Sequence, residues 1–191
     1  GYSDSRHPDK ISFTDDITED LSRRDFTINA MAASLLDGKI IDPFDGQKDL
    51  KNKIIRTVGS ATERFSEDGL RPIRAIRFAS KLNFKIEEET LKAIPLAIEK
   101  TKTISIERFR DEFCKMLVCA DVDLLMTYRD VFATFIPELQ ATFDFAQNNP
   151  HHIYDVYTHI AHSVAKAPQD VHIRLALMFH DIAKPNTYVE D

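Results

Sequence analysis

The spacing of apolar positions changes once along the 191 residues. Near the start, Lys10-Ile11-Ser12-Phe13-Thr14 alternates polar and apolar, the repeat of a half-buried strand. Lys39-Ile40-Ile41-Asp42 is a short apolar run closed by Pro43-Phe44-Asp45-Gly46, whose Pro and Gly suit a turn. Between these two strand signals the pattern predicts a helix over residues 25–36, ended by Asp37-Gly38. From about Ser60 onward the reading is helical throughout. Ile106, Phe109, Phe113, Met116 and Leu117 recur at the spacing of one helix face. Further helices are predicted over 87–100, 121–132, 153–165 and 171–182, with Ile136-Pro137-Glu138 as a break. The expected fold class is therefore α+β, predominantly α: a small portion of sheet with a helix, then an all-helical portion.

Composition narrows the class. Apolar residues make up 43% and charged residues 29% of the chain, the balance of a folded protein. No run approaches 18 apolar residues, so no membrane helix is expected, and the polar Gly1-Tyr2-Ser3-Asp4-Ser5-Arg6 is no signal peptide. Five glycines and no tryptophan argue against Gly-rich phosphate loops and propeller blades. Cys114 and Cys119 match no zinc spacing and are too few for a disulfide framework. They read as buried core thiols of a reducing compartment, the cytoplasm. The chain begins without Met and stops at Tyr188-Val189-Glu190-Asp191, just after a strong motif, and reads as a piece of something longer.

The net charge of −6 argues against a protein coated with Lys and Arg. Its distribution says more. Residues 51–81 carry eight bases against three acids, while the segments on either side are acidic. This basic stretch is where an anionic ligand is expected, although a solvated helix face has the same composition.

Two arginine-rich segments carry the candidate chemistry. In Arg23-Arg24-Asp25-Phe26-Thr27-Ile28-Asn29, Asp25 is placed to cap the predicted helix, and Arg24 projects toward a phosphate or ribose hydroxyl. The plainer alternative is that Arg23 and Arg24 pair with Asp15, Asp16, Glu19 and Asp20. In the second segment, Pro72 fits only a first helical turn, so a helix begins near 68–71. On that helix Asp68, Arg71 and Arg74 share one side, where an acceptor carboxylate beside a forked donor matches a nucleobase edge. A surface helix with ordinary Asp–Arg pairs would show the same spacing.

Together, Arg23-Arg24-Asp25-Phe26-Thr27-Ile28-Asn29-Ala30-Met31-Ala32, Ile41-Asp42-Pro43-Phe44-Asp45-Gly46 and Glu67-Asp68-Gly69-Leu70-Arg71 with Arg74-Ala75-Ile76-Arg77-Phe78 resemble the class II tRNA nucleotidyltransferases. This family holds the bacterial CCA-adding enzymes and related poly(A) polymerases. The resemblance implies transfer of CMP and AMP from CTP and ATP to a tRNA 3′ end, within a head, neck, body and tail. It implies that Arg24 contacts the nucleotide sugar, that Asp68 and Arg71 read the base, and that Arg74 and Arg77 also bind nucleotide. Ser105-Ile106-Glu107-Arg108 with Asp111-Glu112-Phe113 resembles the neck helix that braces the base-reading one. Gly69 departs from the family pattern, which often has Pro or Ala there. The implied domains are the C-terminal part of a nucleotidyltransferase head over 1–58, a helical neck over 59–120, and a body running into an HD domain over 121–191.

The family binds two Mg²⁺ ions through an Asp-x-Asp strand that follows a Gly-Ser or Gly-Gly turn. That pattern is missing: Asp121-Val122-Asp123 lies in the helical half, and Asp4, Asp15 and Asp16 have no supporting context. No catalytic residue is therefore assigned, and the chain alone is expected not to extend tRNA. At the other end, Asn148-Asn149-Pro150-His151-His152-Ile153-Tyr154-Asp155-Val156 and Phe179-His180-Asp181-Ile182-Ala183-Lys184-Pro185 resemble the start of an HD domain. The resemblance implies His159, His180 and Asp181 as ligands of a divalent metal (Mg²⁺, Mn²⁺ or Ni²⁺), with a closing Asp expected after Asp191. His162 and His172 read as structural. An HD-type phosphohydrolase and a non-catalytic RNA-binding module are the alternative functions.

Overall fold

A computed structural model describes residues 15–146 and 153–187, so the strand expected at residues 10–14 lies outside the described residues. The chain divides into two compact units, Gly1–Ser105 and Ile106–Asp191. It is α+β and predominantly α, with two short two-stranded sheets among the described residues.

The first unit opens with α1 (Ile17–Ser22), where the Asp16 carboxylate accepts from the Thr18 amide and Glu19 and Asp20 occupy the first turn. The helix expected over 25–36 does not form. Phe26 is extended and bridges Thr57, the Thr27 amide donates to the Arg56 carbonyl at 2.9 Å, and Val58 donates to the Asp25 carbonyl at 3.1 Å. These non-local bonds satisfy the backbone that a helix would have used internally. Only a 3₁₀ turn (Thr27–Asn29) follows. Then β1 (Ala32–Ala33) pairs antiparallel with β2 (Ile40–Ile41), Ala32 opposite Ile41, around a turn with Gly38 at φ +70°.

Helix α2 (Gly46–Asn52) is started from a distance: Asp42 accepts the amides of Gly46 (2.7 Å) and Gln47 (2.9 Å). A Cβ on Gly46 would run into the Thr27 carbonyl and the Met31 side chain, so only glycine fits. Strand β3 (Ile54–Ile55), α3 (Ala61–Glu67) and α4 (Arg71–Leu82) follow. The all-helical expectation fails at β4 (Lys85–Ile86), which pairs parallel with β3, Ile54 opposite Lys85. Helices α5 (Glu88–Leu96) and α6 (Ile98–Thr101) complete the unit. Leu21, Phe26, Ile55, Phe65, Ile73, Ile76 and Ile94 are among its large buried side chains, and Phe26 meets Phe78 edge-on. Burial of each such side chain stabilises by roughly 1.5–3 kcal/mol.

In the second unit α7 (Ile106–Leu117) buries Phe109, Phe113, Met116 and Leu117, as the spacing predicts, but Ile106, expected on the same face, begins the helix and is exposed. Where one helix was expected over 121–132 there are two, α8 (Val122–Thr127) and α9 (Arg129–Ala133), broken at Tyr128. A 3₁₀ segment starts at Pro137, and α10 (Val156–Lys166), α11 (Val171–Phe179) and α12 (Lys184–Thr187) follow. Phe109 stacks on Phe135 at 4.0 Å, and the buried Tyr157 hydroxyl donates to the Leu125 carbonyl. Arg174 is buried and, among the described residues, has no carboxylate partner. It donates instead to the helix-end carbonyls of Leu117, Ala120 and Ala167 and to that of Pro168, at 2.8 to 3.1 Å. Cys114 and Cys119 are free and half-buried rather than deep core, Cys114 on α7 beside its buried residues and Cys119 in the turn that follows the helix. Among the described residues no helix is long and apolar enough to cross a membrane.

Candidate functional site

The two arginine segments meet in one cavity of about 490 Å³ in the first unit, lined by Arg23, Arg24, Asp25, Asn29, Asp68, Arg71, Arg74 and Phe78. Four guanidinium groups face two carboxylates there, a surface biased toward anions. Helix α3 ends at Glu67 and α4 starts at Arg71, so Asp68 is extended between them rather than helical. Its carboxylate accepts from the Leu70 amide at 2.9 Å, and its carbonyl accepts from the Arg71 amide at 3.0 Å. The turn thus brings Asp68 beside Arg71 by a route other than the helix face expected from sequence. Gly69 has a local reason: a Cβ there would run into the Lys100 carbonyl.

Asp25, expected to cap a helix, is instead the buried centre of the site. It accepts from the Phe26 amide, from Asn29 Nδ2 at 3.1 Å, and from Arg74 Nε at 2.8 Å and Nη2 at 2.6 Å. Arg71 is held by its neighbours' backbone: Nη1 donates to the Arg64 carbonyl and pairs with Glu67 at 2.6 Å, and Nη2 donates to the Arg23 carbonyl at 3.0 Å. Arg24 reaches the Asn29 carbonyl at 3.3 Å and Asp20 at 3.6 Å, while Arg23 pairs with Glu19. The plain pairing alternative and the pocket therefore coexist, since both arginines also line the cavity. Arg77 is not brought into it. This side chain is buried, with its guanidinium carbon 3.9 Å from the Phe78 ring centre. Asn29 and Phe78 also line the site without having been singled out. Asn29 follows Asp25 by four, a spacing that signals contact only on the turn that replaced the expected helix.

The second unit gathers the other candidate residues. Ligand atoms of His159, His180 and Asp181 lie within 4.8 Å of one another. His180 Nε2 is 3.2 Å from both His159 Nε2 and Asp181 Oδ2, and its Nδ1 donates to the Leu177 carbonyl at 2.6 Å. That bond leaves the Nε2 lone pair facing the cluster, the orientation that suits a ligand imidazole. Lys184 supplies a cation 2.7 Å from Asp181 Oδ2.

Residues 1–56 match the model described as "Poly A polymerase head domain", and residues 83–143 that described as "Probable RNA and SrmB- binding site of polymerase A". A CCA-adding enzyme of Lactobacillus delbrueckii subsp. bulgaricus is 48% identical over 138 residues, 72% of this chain and 34% of that protein. Among solved structures, the Bacillus stearothermophilus CCA-adding enzyme in complex with CTP aligns with a TM-score of 0.59 and 42% identity, covering 62% of this chain and 30% of that one. The Thermotoga maritima CCA-adding enzyme complexed with tRNA(CCA) aligns with a TM-score of 0.59 and 27% identity, covering 91% and 45%. The chain thus spans about a third of the length of that Lactobacillus relative.

Proposed function

Because the chain belongs to the family of tRNA nucleotidyltransferases and poly(A) polymerases, we propose that it is the nucleotide-reading portion of an enzyme that transfers CMP and AMP from CTP and ATP to a tRNA 3′ end. The observation that supports this reading is the convergence of Arg24, Asp68, Arg71 and Arg74 on one cavity from segments more than 40 residues apart. The relatives bound to CTP and tRNA favour it over a phosphohydrolase or a non-catalytic module.

In this reading Asp68 accepts from a base amino group while Arg71 donates to the ring and carbonyl acceptors beside it. Arg24 lies nearest the sugar, Asp25 fixes the reach of Arg74, and Arg74 takes a further nucleotide-binding role, whereas Arg77, buried against Phe78 outside the cavity, keeps a structural one. The setting proposed is the cytoplasm. A divalent ion such as Mg²⁺ would supply charge neutralisation and activation of the 3′-hydroxyl. Among the described residues of the first unit no group of three metal-ligating side chains is gathered to hold it. No step is routed through that ion here.

Isothermal titration of CTP and ATP into the chain tests the reading. Asp68→Ala and Arg71→Ala are each expected to weaken binding about ten- to hundredfold, the loss of one or two charge-assisted hydrogen bonds. Titrations indistinguishable from the parent would reject these roles.

A second, separate reading concerns the second unit. The converging Nε2 atoms and the backbone-oriented His180 ring support a divalent-cation site formed by His159, His180 and Asp181. Ni²⁺ or Mn²⁺ titration should show saturable binding that His180→Ala abolishes; equal binding by parent and variant would sink it.

A further inference from the structure

We propose that Gly69 and Thr103 are positioning residues for base selection: the Lys100 carbonyl, held by Thr103, is the backstop that sets where Asp68 stands in the nucleotide cavity. The proposal deepens the nucleotide-reading role of that cavity and rests on it.

Residues 68–70 form the short connection between α3 and α4. Asp68 lines the cavity, whereas Gly69, next along the chain, meets the end of α6. A Cβ built on Gly69 would lie 2.4 Å from the Lys100 carbonyl oxygen, 2.8 Å from its carbon and 3.0 Å from the Thr101 Cα. All of these are backbone atoms, which cannot swing aside as the end of a side chain can. Neither Lys100 nor Thr101 lines the cavity, so the α6 end supports the turn from outside it.

The backstop is itself fixed. The Thr103 amide and hydroxyl both donate to the Lys100 carbonyl oxygen, at 3.1 and 2.7 Å. The Thr101 amide donates to the Ala97 carbonyl at 2.8 Å, and Ala97, Thr101 and Ile104 are buried. On the other side of the turn Arg71 is held by the Arg64 and Arg23 carbonyls and by Glu67. With both flanks held, a methyl group at position 69 displaces the turn itself by about 1 Å, the difference between so short a contact and ordinary van der Waals separation. Asp68 moves with the turn while Arg71 stays.

Close backbone packing by itself also explains a glycine here. On that account a larger residue lowers stability and weakens the binding of every nucleotide alike. A displaced Asp68 does something narrower. Arginine charge meets the phosphates and sugar, and it tolerates small shifts in position. Base selection depends on the register of an acceptor carboxylate against a forked donor, and hydrogen bonds weaken steeply off line. CTP presents an amino donor beside a ring acceptor. UTP presents a carbonyl acceptor beside a ring donor, on the same ribose and triphosphate. The ratio of their affinities therefore reports where Asp68 stands.

The test is isothermal titration of CTP and of UTP into the 191-residue chain and its Gly69→Ala, Thr103→Val and Thr103→Ser variants, with circular dichroism to check folding. The parent should prefer CTP at least about tenfold, the discrimination of one well-placed set of base hydrogen bonds. Gly69→Ala should cut that preference to about threefold or less, while its UTP affinity stays within about twofold of the parent. Thr103 is exposed, so its variants are expected to fold. Thr103→Val takes one donor from the Lys100 carbonyl and should lower the preference about two- to threefold; Thr103→Ser keeps the hydroxyl and should retain it. Equal loss of CTP and UTP affinity in Gly69→Ala would overturn the backstop in favour of packing alone. So would a preference that survives Gly69→Ala, or one that is the same in both Thr103 variants. Should Gly69→Ala fail to fold, the contrast between the Thr103 variants decides by itself. A parent that binds CTP and UTP equally refutes base reading by the cavity, and the backstop falls with it. A parent that prefers CTP, with variants that keep the preference, leaves the cavity's role standing and removes the backstop alone.

Discussion

Asp25 shows how much one side chain can hold together. A carboxylate beside two arginines suggests local pairing, and the sequence pattern places it as a helix cap. The structure spends it on Arg74, 49 residues away, while Phe26 and Asn29 fill its other oxygen. Removing it leaves a half-buried guanidinium without its carboxylate. Asp25→Ala should therefore lower stability by about 1–3 kcal/mol in urea unfolding, with Asp25→Asn losing less. An unchanged midpoint in Asp25→Ala would mean that the pair contributes nothing. Legibility at this scale followed the type of partner. Arg24, Asp68, Arg71 and Arg74 could be named in advance because their spacing is a recognisable motif. Arg174 could not, because its acceptors are helix-end carbonyls, which every residue possesses.

Among the elements, short non-local pairings explain most of what the periodicity missed. The two-residue strand Lys85–Ile86 carries no alternation to read, and its partner Ile54–Ile55 lies 31 residues back. Residues 25–36 were apolar enough for a helix, yet backbone bonds to Arg56 and Val58 held the chain extended at Phe26, where that helix would have begun. By contrast α4 and most of α7 were legible, since a proline start and a repeating apolar face are local signals. Helix α2 carries a pH prediction. Burial raises the Asp42 carboxyl, but hydrogen bonds from Gln47, Gly46 and Phe44 outweigh it and hold the group below the ordinary carboxylate value. A depressed folded value means that the stabilisation is full above the unfolded pKa, about 3.9, and is lost as pH falls through the folded one. Acid unfolding should thus steepen below about pH 4, and Asp42→Asn should show a shallower dependence there. Parallel acid titrations of the two would contradict this.

For the whole molecule, the division at Ser105 and Ile106 separates the two candidate sites, one in each unit. Sites without shared side chains are expected to behave additively. Asp68→Ala should weaken CTP binding while leaving metal binding by the histidine cluster unchanged, and His180→Ala should do the reverse. A double variant whose losses depart from additivity by more than about 0.5 kcal/mol would show that the units communicate. The α+β class was readable because strand signals stopped early in the chain. The unit boundary was not, because no Pro-, Gly- or Ser-rich linker marks it.

The grip of the Arg23 and Arg64 carbonyls on Arg71 bears on how such a site can be re-engineered. A residue tethered to the main chain of its neighbours cannot be exchanged as an independent module. Arg71→Gln would unfasten the strip that carries Arg23 and Arg24 at the same time as it altered a donor pattern. Selections for altered base preference should then recover compensating changes at positions 22–24 and 64–67 alongside the intended one. The adaptive unit is the tethered pair of segments, not the single side chain.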